Sequence, residues 1–132
     1  MDDPAGKTIL LVEDEKLLGN LLKRRLDREG FRVVLTRDGE EALRVLHEGL
    51  VPDLILLDII LPKISGFDFL DKIHTDTSLA SLDAPVVVVS NLGQQRDVER
   101  AQTMGVIGYF VKAQLSFEEL VGQVRAFFET PA

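Results

Sequence analysis

Four of the most apolar runs in the chain stop at polar residues whose side chains could do chemistry. These residues are three carboxylates, a hydroxyl and an ammonium group: Glu13 and Asp14, Asp58, Ser90 and Lys112. If the apolar runs are parallel strands, their carboxyl ends lie at one edge of one sheet, so the five side chains converge there. Carboxylate oxygens suit a hard divalent cation, and an ammonium and a hydroxyl suit phosphoryl oxygens. The spacing therefore predicts a site for a cation and a phosphoryl group.

Each of these polar residues alone has an ordinary explanation, as a helix cap, the start of a loop or a surface side chain. Together they do not, because three unpaired carboxylates repel one another by about 4 kcal/mol per pair at 4 Å and an effective dielectric near 20. Either the pKa values of the carboxyl groups rise or a cation binds. An all-oxygen set with open positions for water favours Mg²⁺ or Mn²⁺ over Zn²⁺.

The elements that must position this site alternate between strand-like runs and segments with helical periodicity. Strands are predicted at 9–12, 31–35, 53–57, 86–89 and 108–111, and helices at about 15–29, 38–47, 66–75, 94–104 and from 116 onward. The third run is continuously apolar, which indicates a strand buried on both faces. Strand and helix in alternation, five times over with short joints, predict an α/β fold whose parallel sheet is covered by helices on both faces.

The predicted helices differ in how firmly they should be held. Asp38 and Ser116 each begin a pattern typical of a capping box, with an acidic residue three positions later. The fourth helix offers few apolar residues for packing, namely Val98, Ala101 and Met104. We therefore expect the fourth helix to be the most weakly anchored.

Length, charge and cysteine content limit the classes of function. The 132 residues predict one domain over 1–132, with an ordered core of about 8–129 and no effector domain after the last helix. A net charge of −7 disfavours direct binding to nucleic acid or to an anionic membrane. The absence of cysteine fits a reducing compartment, and no uninterrupted apolar stretch approaches 18 residues. A cytoplasmic location is expected.

The chain resembles a receiver domain of two-component response regulators. The stretches that carry the resemblance are residues 9–15, residues 53–58 with Pro62 and Gly66, residues 86–90, and residues 108–112. They span nearly the whole chain in the order and spacing of that family. The resemblance implies a doubly wound (βα)5 flavodoxin-like sandwich of three layers, with a five-stranded parallel sheet in the order 2-1-3-4-5.

The resemblance also implies a metal site and an acceptor. Asp58 would be the phospho-acceptor, and Mg²⁺, with Mn²⁺ as the alternative, would be held near it. The metal ligands would be Glu13, Asp14, Asp58 and the main-chain carbonyl of Ile60. In this family the acceptor carboxylate attacks phosphorus while positive charge neutralises the phosphoryl oxygens.

The remaining roles implied by the resemblance concern the phosphoryl group and the response to it. Lys112 and Ser90 would act as catalytic contacts, with further phosphoryl contacts from the loop residues Ile59 and Asn91. Ser90 would also follow the phosphoryl group inward, and Tyr109 would be the switch aromatic. The output surface would combine the fourth helix, the fifth strand and the fifth helix.

The partners implied are a histidine kinase or a histidine phosphotransfer protein as the donor and an unknown protein as the downstream target. The first helix, from Leu17 onward, is the expected docking surface for the donor, and a homodimer through the output surface is possible. The chain would take part in its own phosphotransfer and dephosphorylation without being a turnover enzyme. Two alternatives are a pseudo-receiver that acts by binding alone and an aspartyl-phosphate hydrolase. Such hydrolases usually carry a second aspartate where this chain has Ile60.

Among the departures from the family pattern, two concern the loops beside Ser90 and Lys112. Ala113 follows Lys112, where the family usually has a proline after a cis bond. A cis bond before a non-proline residue costs about 2.5 to 4 kcal/mol, so we predict a trans Lys112–Ala113 bond or a rearranged loop. Asn91 stands where alanine or glycine is common, and its amide would contact either the phosphoryl group or attacking water, or else stabilise a loop.

Overall fold

The computed structural model describes residues 6–129. Residues 1–5 and 130–132, which the predicted domain over 1–132 includes, lie outside the described residues. The strands are β1 (Thr8–Val12), β2 (Arg32–Thr36), β3 (Leu54–Leu57), β4 (Val86–Ser90) and β5 (Gly108–Val111). The α-helices are α1 (Lys16–Arg28), α2 (Gly39–His47), α3 (Gly66–Thr75), α4 (Gln95–Thr103) and α5 (Phe117–Phe128). Short 3₁₀ helices cover Thr77–Leu79 and Lys112–Gln114.

All strands lie parallel in one sheet with the order β2-β1-β3-β4-β5. The predicted fold class and strand order are therefore confirmed. β3 stands at the centre of the sheet with a hydrogen-bonded neighbour on each side, whereas β5, among the strands of residues 6–129, is an edge strand that pairs with β4 alone.

Two apolar clusters, one on each face of the sheet, explain why the sequences of the central strands are continuously apolar. Successive residues of a strand point to opposite faces, so each central strand contributes to both clusters. Side chains on one face pack with α2, α3 and α4, and include Leu10, Val12, Ile55, Leu57, Val86 and Val88. Side chains on the other face pack with α1 and α5, and include Ile9, Leu11, Leu54, Leu56, Val87 and Val89. The three layers follow from this double burial.

The helix caps fix where α2 and α5 begin. The Asp38 side chain accepts a hydrogen bond from the N–H of Glu41 at 2.8 Å. Ser116 and Glu119 make both bonds of a capping box, as the sequence predicts. Each such cap contributes about 1 kcal/mol to helix stability.

α4 has the small apolar anchor that its sequence predicts. Ala101 is its buried residue, while Val98 is half-buried. The guanidinium of Arg100 adds a contact by lying 4.1 Å from the centre of the Phe67 ring. Within the part of the chain that the structure describes, no helix is long and apolar enough to cross a membrane.

Candidate functional site

The pairing of the strands brings the predicted polar residues to one edge of the sheet. The last residues of β1 and β3 pair with each other, and so do the last residues of β4 and β5. The polar residues at these ends are Glu13 and Asp14 after β1, Asp58 after β3, Ser90 as the last residue of β4, and Lys112 after β5. The sheet register therefore produces the juxtaposition that the sequence predicts.

Three carboxylates form the acidic part of the site. Glu13, Asp14 and Asp58 each offer one carboxylate oxygen, and these oxygens all lie within 4.8 Å of one another. The side chains of Glu13 and Asp58 are buried, whereas Asp14 is exposed. A set of carboxylate oxygens without sulfur or imidazole fits Mg²⁺ or Mn²⁺. The residues present are therefore suited to the cation that the sequence predicts.

The ammonium group of Lys112 lies among the carboxylates. It is 2.7 Å from Oδ2 of Asp58 and 2.9 Å from Oε1 of Glu13, and it also contacts the carboxylate of Glu15. Burial lowers the pKa of Lys112, but the hydrogen bonds to Asp58, Glu15 and Glu13 outweigh it, so this pKa lies above its ordinary value. Lys112 is therefore a permanent cation in the site.

One lysine does not fully compensate the buried acids. Burial raises the pKa of Glu13 to about 7, even though hydrogen bonds from Lys112 and from the N–H of Glu15 lower it. The negative charge of Asp58 adds to the rise. Glu13 thus carries an unfavourable charge at neutral pH unless another cation is near. This electrostatic deficit is a second reason why the site suits a divalent cation.

Glu15 is a member of the site that the sequence analysis did not single out. It is the residue just before α1, and its side chain is 55% exposed. The signal for it was present, because Glu15 is the third acid of the run that begins at Glu13. It does not end a strand, so a rule based on strand ends could not include it.

The loop after β3 is held close to the start of α3. Oδ1 of Asp58 accepts a hydrogen bond from the N–H of Ile60 at 3.0 Å. The main-chain oxygen of Ile59 accepts one from the N–H of Gly66 at 2.8 Å. Ile59 is buried and Ile60 is exposed. Both residues lie beside the acceptor, while the phosphoryl contact expected of Ile59 and the metal contact expected of Ile60 stay predictions.

Ser90 and Tyr109 are joined through one loop residue. Ser90 is fully buried, and its Oγ accepts a hydrogen bond from the N–H of Leu92 at 3.2 Å. Tyr109 is half-buried, and its hydroxyl donates to the main-chain oxygen of Leu92. Burial raises the pKa of Tyr109, and the charges of Asp97 and Asp58 raise it further. The two predicted switch residues therefore both hold the loop between β4 and α4.

Asn91 and Ala113 connect the loops that follow β4 and β5. All peptide bonds of residues 6–129 are trans, so the prediction for Lys112–Ala113 is confirmed. Oδ1 of Asn91 accepts a hydrogen bond from the N–H of Ala113 at 3.0 Å. This is the loop-stabilising contact that the sequence analysis left open. A phosphoryl contact through the amide hydrogens of Asn91 stays a prediction.

Comparisons with known proteins agree on one family. Residues 9–125 match the family model of the response regulator receiver domain. The chain is 35% identical over 126 residues to a probable transcriptional regulator, ycf27, of Guillardia theta, which covers 96% of this chain and 47% of that protein. It is 36% identical over 118 residues to the transcriptional regulatory protein CpxR of Escherichia coli, and this match covers 89% of this chain and 47% of CpxR. The chain thus spans about half the length of these relatives.

Two solved structures are similar over almost their whole length. The phosphorylated cyanobacterial phytochrome response regulator RcpA superposes with a TM-score of 0.80 at 33% identity, covering 97% of each chain. The Mn²⁺-bound form of the response regulator Rcp1 superposes with a TM-score of 0.78 at 30% identity, covering 96% of this chain and 97% of that one.

Proposed function

Because the chain belongs to the family of response regulator receiver domains, we propose that it is a phospho-accepting switch that takes a phosphoryl group from a phosphohistidine onto Asp58. The observation that carries the proposal is the position of Asp58. Its carboxylate is buried at the end of a central strand, and Oδ2 lies 2.7 Å from the Lys112 ammonium. A fixed carboxylate beside a permanent cation is suited to attack a phosphorus atom.

The proposed transfer is a displacement at phosphorus. A carboxylate oxygen of Asp58 attacks, a P–O bond forms, and the P–N bond of the phosphohistidine breaks. The imidazole nitrogen leaves with the electron pair of that bond and takes up a proton. The product is an acyl phosphate, which water later attacks to release inorganic phosphate and restore the carboxylate. The chain is thus consumed and regenerated as a reactant, and it turns over no separate substrate.

The charged residues around Asp58 would stabilise the transferring group. Lys112 would hold a phosphoryl oxygen, and Ser90 and the main chain at Ile59 would provide hydrogen bonds. Mg²⁺ or Mn²⁺, held by Glu13, Asp14, Asp58 and the Ile60 carbonyl, would supply further positive charge to phosphoryl oxygens when bound.

Phosphorylation would change the loop between β4 and α4. A phosphoryl group adds close to two negative charges beside Lys112 and Ser90. If the Ser90 hydroxyl turns to the phosphoryl group, it no longer accepts the hydrogen bond from the N–H of Leu92. The carbonyl of the same residue accepts the hydrogen bond from Tyr109, so the change at Leu92 also reaches Tyr109. Because α4 has a small apolar anchor, two arrangements of α4, β5 and α5 can differ by little free energy. This surface would be the output surface.

The partners proposed are a phosphohistidine protein and a downstream protein. The donor, a histidine kinase or a phosphotransfer protein, would meet α1, where Leu17 is 74% exposed. The relatives named above are transcriptional regulators that extend beyond the matched region. In a longer protein of that kind, the output surface would contact the remainder of the molecule or a second receiver domain. The net charge of −7 disfavours direct contact of this domain with nucleic acid.

The experiment that tests the proposal is phosphorylation by acetyl phosphate in the presence of MgCl₂, followed by intact-protein mass spectrometry. We expect one phosphoryl group per chain, and none on Asp58→Asn. Asp71→Asn is a matched control, because Asp71 is an exposed carboxylate of α3 that does not belong to the cluster of Glu13, Asp14 and Asp58. If the unmodified protein binds Mg²⁺ and accepts no phosphoryl group from acetyl phosphate or phosphoramidate, the domain acts by binding alone.

A further inference from the structure

We infer that Asn91 is a positioning residue that holds the segment carrying Lys112 in place by accepting a hydrogen bond from the main-chain N–H of Ala113. The inference rests on the phosphoryl-transfer function proposed above. It assigns to Asn91 a role that acts through Lys112 and not through the phosphoryl group.

The segment that carries Lys112 has little support from the sheet. Within the described part of the chain β5 pairs with β4 alone, and the ladder between them ends at the pair of Ser90 and Val111. All four residues of β5 are half-buried, whereas those of β3 and β4 are buried. Lys112 then begins the 3₁₀ helix, beyond the last ladder pair. A further hydrogen bond between the loops after β4 and β5, beyond the last ladder pair, would therefore fix the position of Lys112.

The hydrogen bond from Ala113 to Asn91 supplies that connection. Its length is 3.0 Å, and it joins two residues 22 positions apart. Asn91 directly follows Ser90, and Ala113 directly follows Lys112, so the bond joins the neighbours of two proposed phosphoryl contacts. The bond requires a main-chain N–H at position 113, which a proline would lack. In this chain, alanine at 113 and asparagine at 91 are therefore complementary.

The placement of Lys112 matters because its ammonium serves several carboxylates over short distances. Its side chain is 9% exposed and its ammonium contacts three carboxylates at once, so a shift of its main chain costs at least one of these contacts, such as that with Oδ2 of Asp58 at 2.7 Å. A misplacement of about 1 Å at a reacting centre can lower a rate by as much as about 100-fold. We expect the loss of one hydrogen bond in a neighbouring loop to have a smaller effect, about tenfold.

The test compares Asn91→Ala, which removes the acceptor, with Asn91→Asp, which keeps an Oδ acceptor and removes the amide hydrogens. Two quantities are measured on each protein: hydrogen exchange at the Ala113 amide by NMR, and the initial rate of phosphoryl uptake from acetyl phosphate with Mg²⁺. The uptake is measured at high salt, which screens the charge added by aspartate. The amide of Val88, in the middle of β4, is the internal control for folding.

In Asn91→Ala we expect faster exchange at Ala113, unchanged exchange at Val88, and uptake slower by about tenfold. In Asn91→Asp, Ala113 should stay protected and the uptake rate should lie closer to that of the unmodified protein. Unchanged exchange at Ala113 in Asn91→Ala, or faster exchange with an unchanged uptake rate, overturns the inference. Equal losses of uptake in both variants also overturn it, because they indicate a direct contact through the amide hydrogens. If the unmodified protein takes up no phosphoryl group, the proposed function fails, while the exchange at Ala113 still tests the bond.

Discussion

Gly66 lies so close to Asp58 that a β-carbon on Gly66 would stand 2.5 Å from the main-chain oxygen of Asp58. It would also stand 2.6 Å from the α-carbon of Ile59. Both atoms belong to the main chain and cannot move aside as a flexible side chain would. The start of α3 and the end of β3 are therefore fitted together at the proposed acceptor, and the fit depends on glycine.

The first prediction concerns this close approach. Gly66→Ala should lower the free energy of unfolding by about 1–3 kcal/mol, because the overlap forces the loop after β3 to shift. The shift should also slow phosphoryl uptake at Asp58. The measurements are urea unfolding and the rate of modification by acetyl phosphate. Gly122→Ala on α5 is the control, since a β-carbon there meets nothing within 4 Å and should stabilise the helix by about 0.4–1 kcal/mol. Equal stability of the two variants would contradict the account of Gly66.

The second prediction concerns the charge of Lys112. Its side chain is 9% exposed, and removing its charge leaves the buried carboxylates of Glu13 and Asp58 without a cation. Lys112→Met should therefore lower the free energy of unfolding at neutral pH by about 3 kcal/mol, and added MgCl₂ should restore part of the loss. Lys23→Met is the control, because the pair of Lys23 and Asp27 is 42% and 41% exposed and contributes about 1 kcal/mol or less. Equal effects in urea unfolding would rule out a special electrostatic role for Lys112.

The third prediction concerns the cation. Mg²⁺ should stabilise the unmodified protein by linkage, by about 2.7 kcal/mol at a hundredfold excess over its dissociation constant. Asp14→Asn should weaken this stabilisation with little cost to the metal-free fold, since Asp14 is exposed. Thermal unfolding with and without MgCl₂ provides the measurement, and Asp71→Asn should retain the full shift. A protein that neither Mg²⁺ nor Mn²⁺ stabilises would exclude the proposed metal site.

The fourth prediction concerns Tyr109. The chain contains one tyrosine and no tryptophan, so intrinsic tyrosine fluorescence reports on this residue alone. If phosphorylation rearranges the loop at Leu92, the surroundings of the Tyr109 hydroxyl change and the fluorescence intensity should change with them. The signal should follow acetyl phosphate and MgCl₂ together and vanish in Asp58→Asn. Full phosphorylation by mass with constant fluorescence would show that Tyr109 does not respond.

The fifth prediction concerns pH and lies away from the site. The hydroxyl of Ser78 donates to Asp76 at 2.6 Å, and His47 lies 2.7 Å from the same carboxylate. The hydrogen bond from the Ser78 hydroxyl, followed by the contact with His47, lowers the pKa of Asp76 to about 2. A lowered pKa means that the charged form stabilises the fold above the ordinary value of 3.8, and that this contribution is lost as pH falls towards 2. Carboxyl ¹³C NMR should locate the pKa, and Ser78→Ala should raise it towards 3.8.

The edge of the sheet could be predicted from the sequence because its residues obey a simple rule. Polar side chains that end apolar runs must lie at strand ends, and a parallel sheet brings those ends together. This rule is enough to place Asp58 and Lys112, which are 54 residues apart in the sequence, at one site. The capping pattern that begins at Ser116 is equally local and was also predicted.

The contacts that could not be predicted depend on main-chain atoms and on the relative position of loops. The N–H of Leu92 donates to Ser90, and its carbonyl accepts from Tyr109. Both are main-chain groups, so the residue type at position 92 does not predict this role. The hydrogen-bond partner of Asn91 is the main-chain N–H of Ala113 in another loop. The sequence does not show which loops are neighbours, so it leaves open whether Asn91 contacts the phosphoryl group or stabilises a loop. Glu15 reaches Lys112 from the start of α1, where an exposed acid ordinarily suggests nothing more than a favourable helix terminus.

The different positions of β3 and β5 in the sheet give Asp58 and Lys112 different mechanical compliance. Asp58 follows a strand that is hydrogen-bonded on both sides and buried on both faces, so two ladders fix its position. Lys112 follows a strand that is bonded on one side, so a displacement there strains a single ladder. Adjustment to an added charge is therefore expected to fall on the lysine side, and the acceptor acts as the stationary reference against which β5 moves.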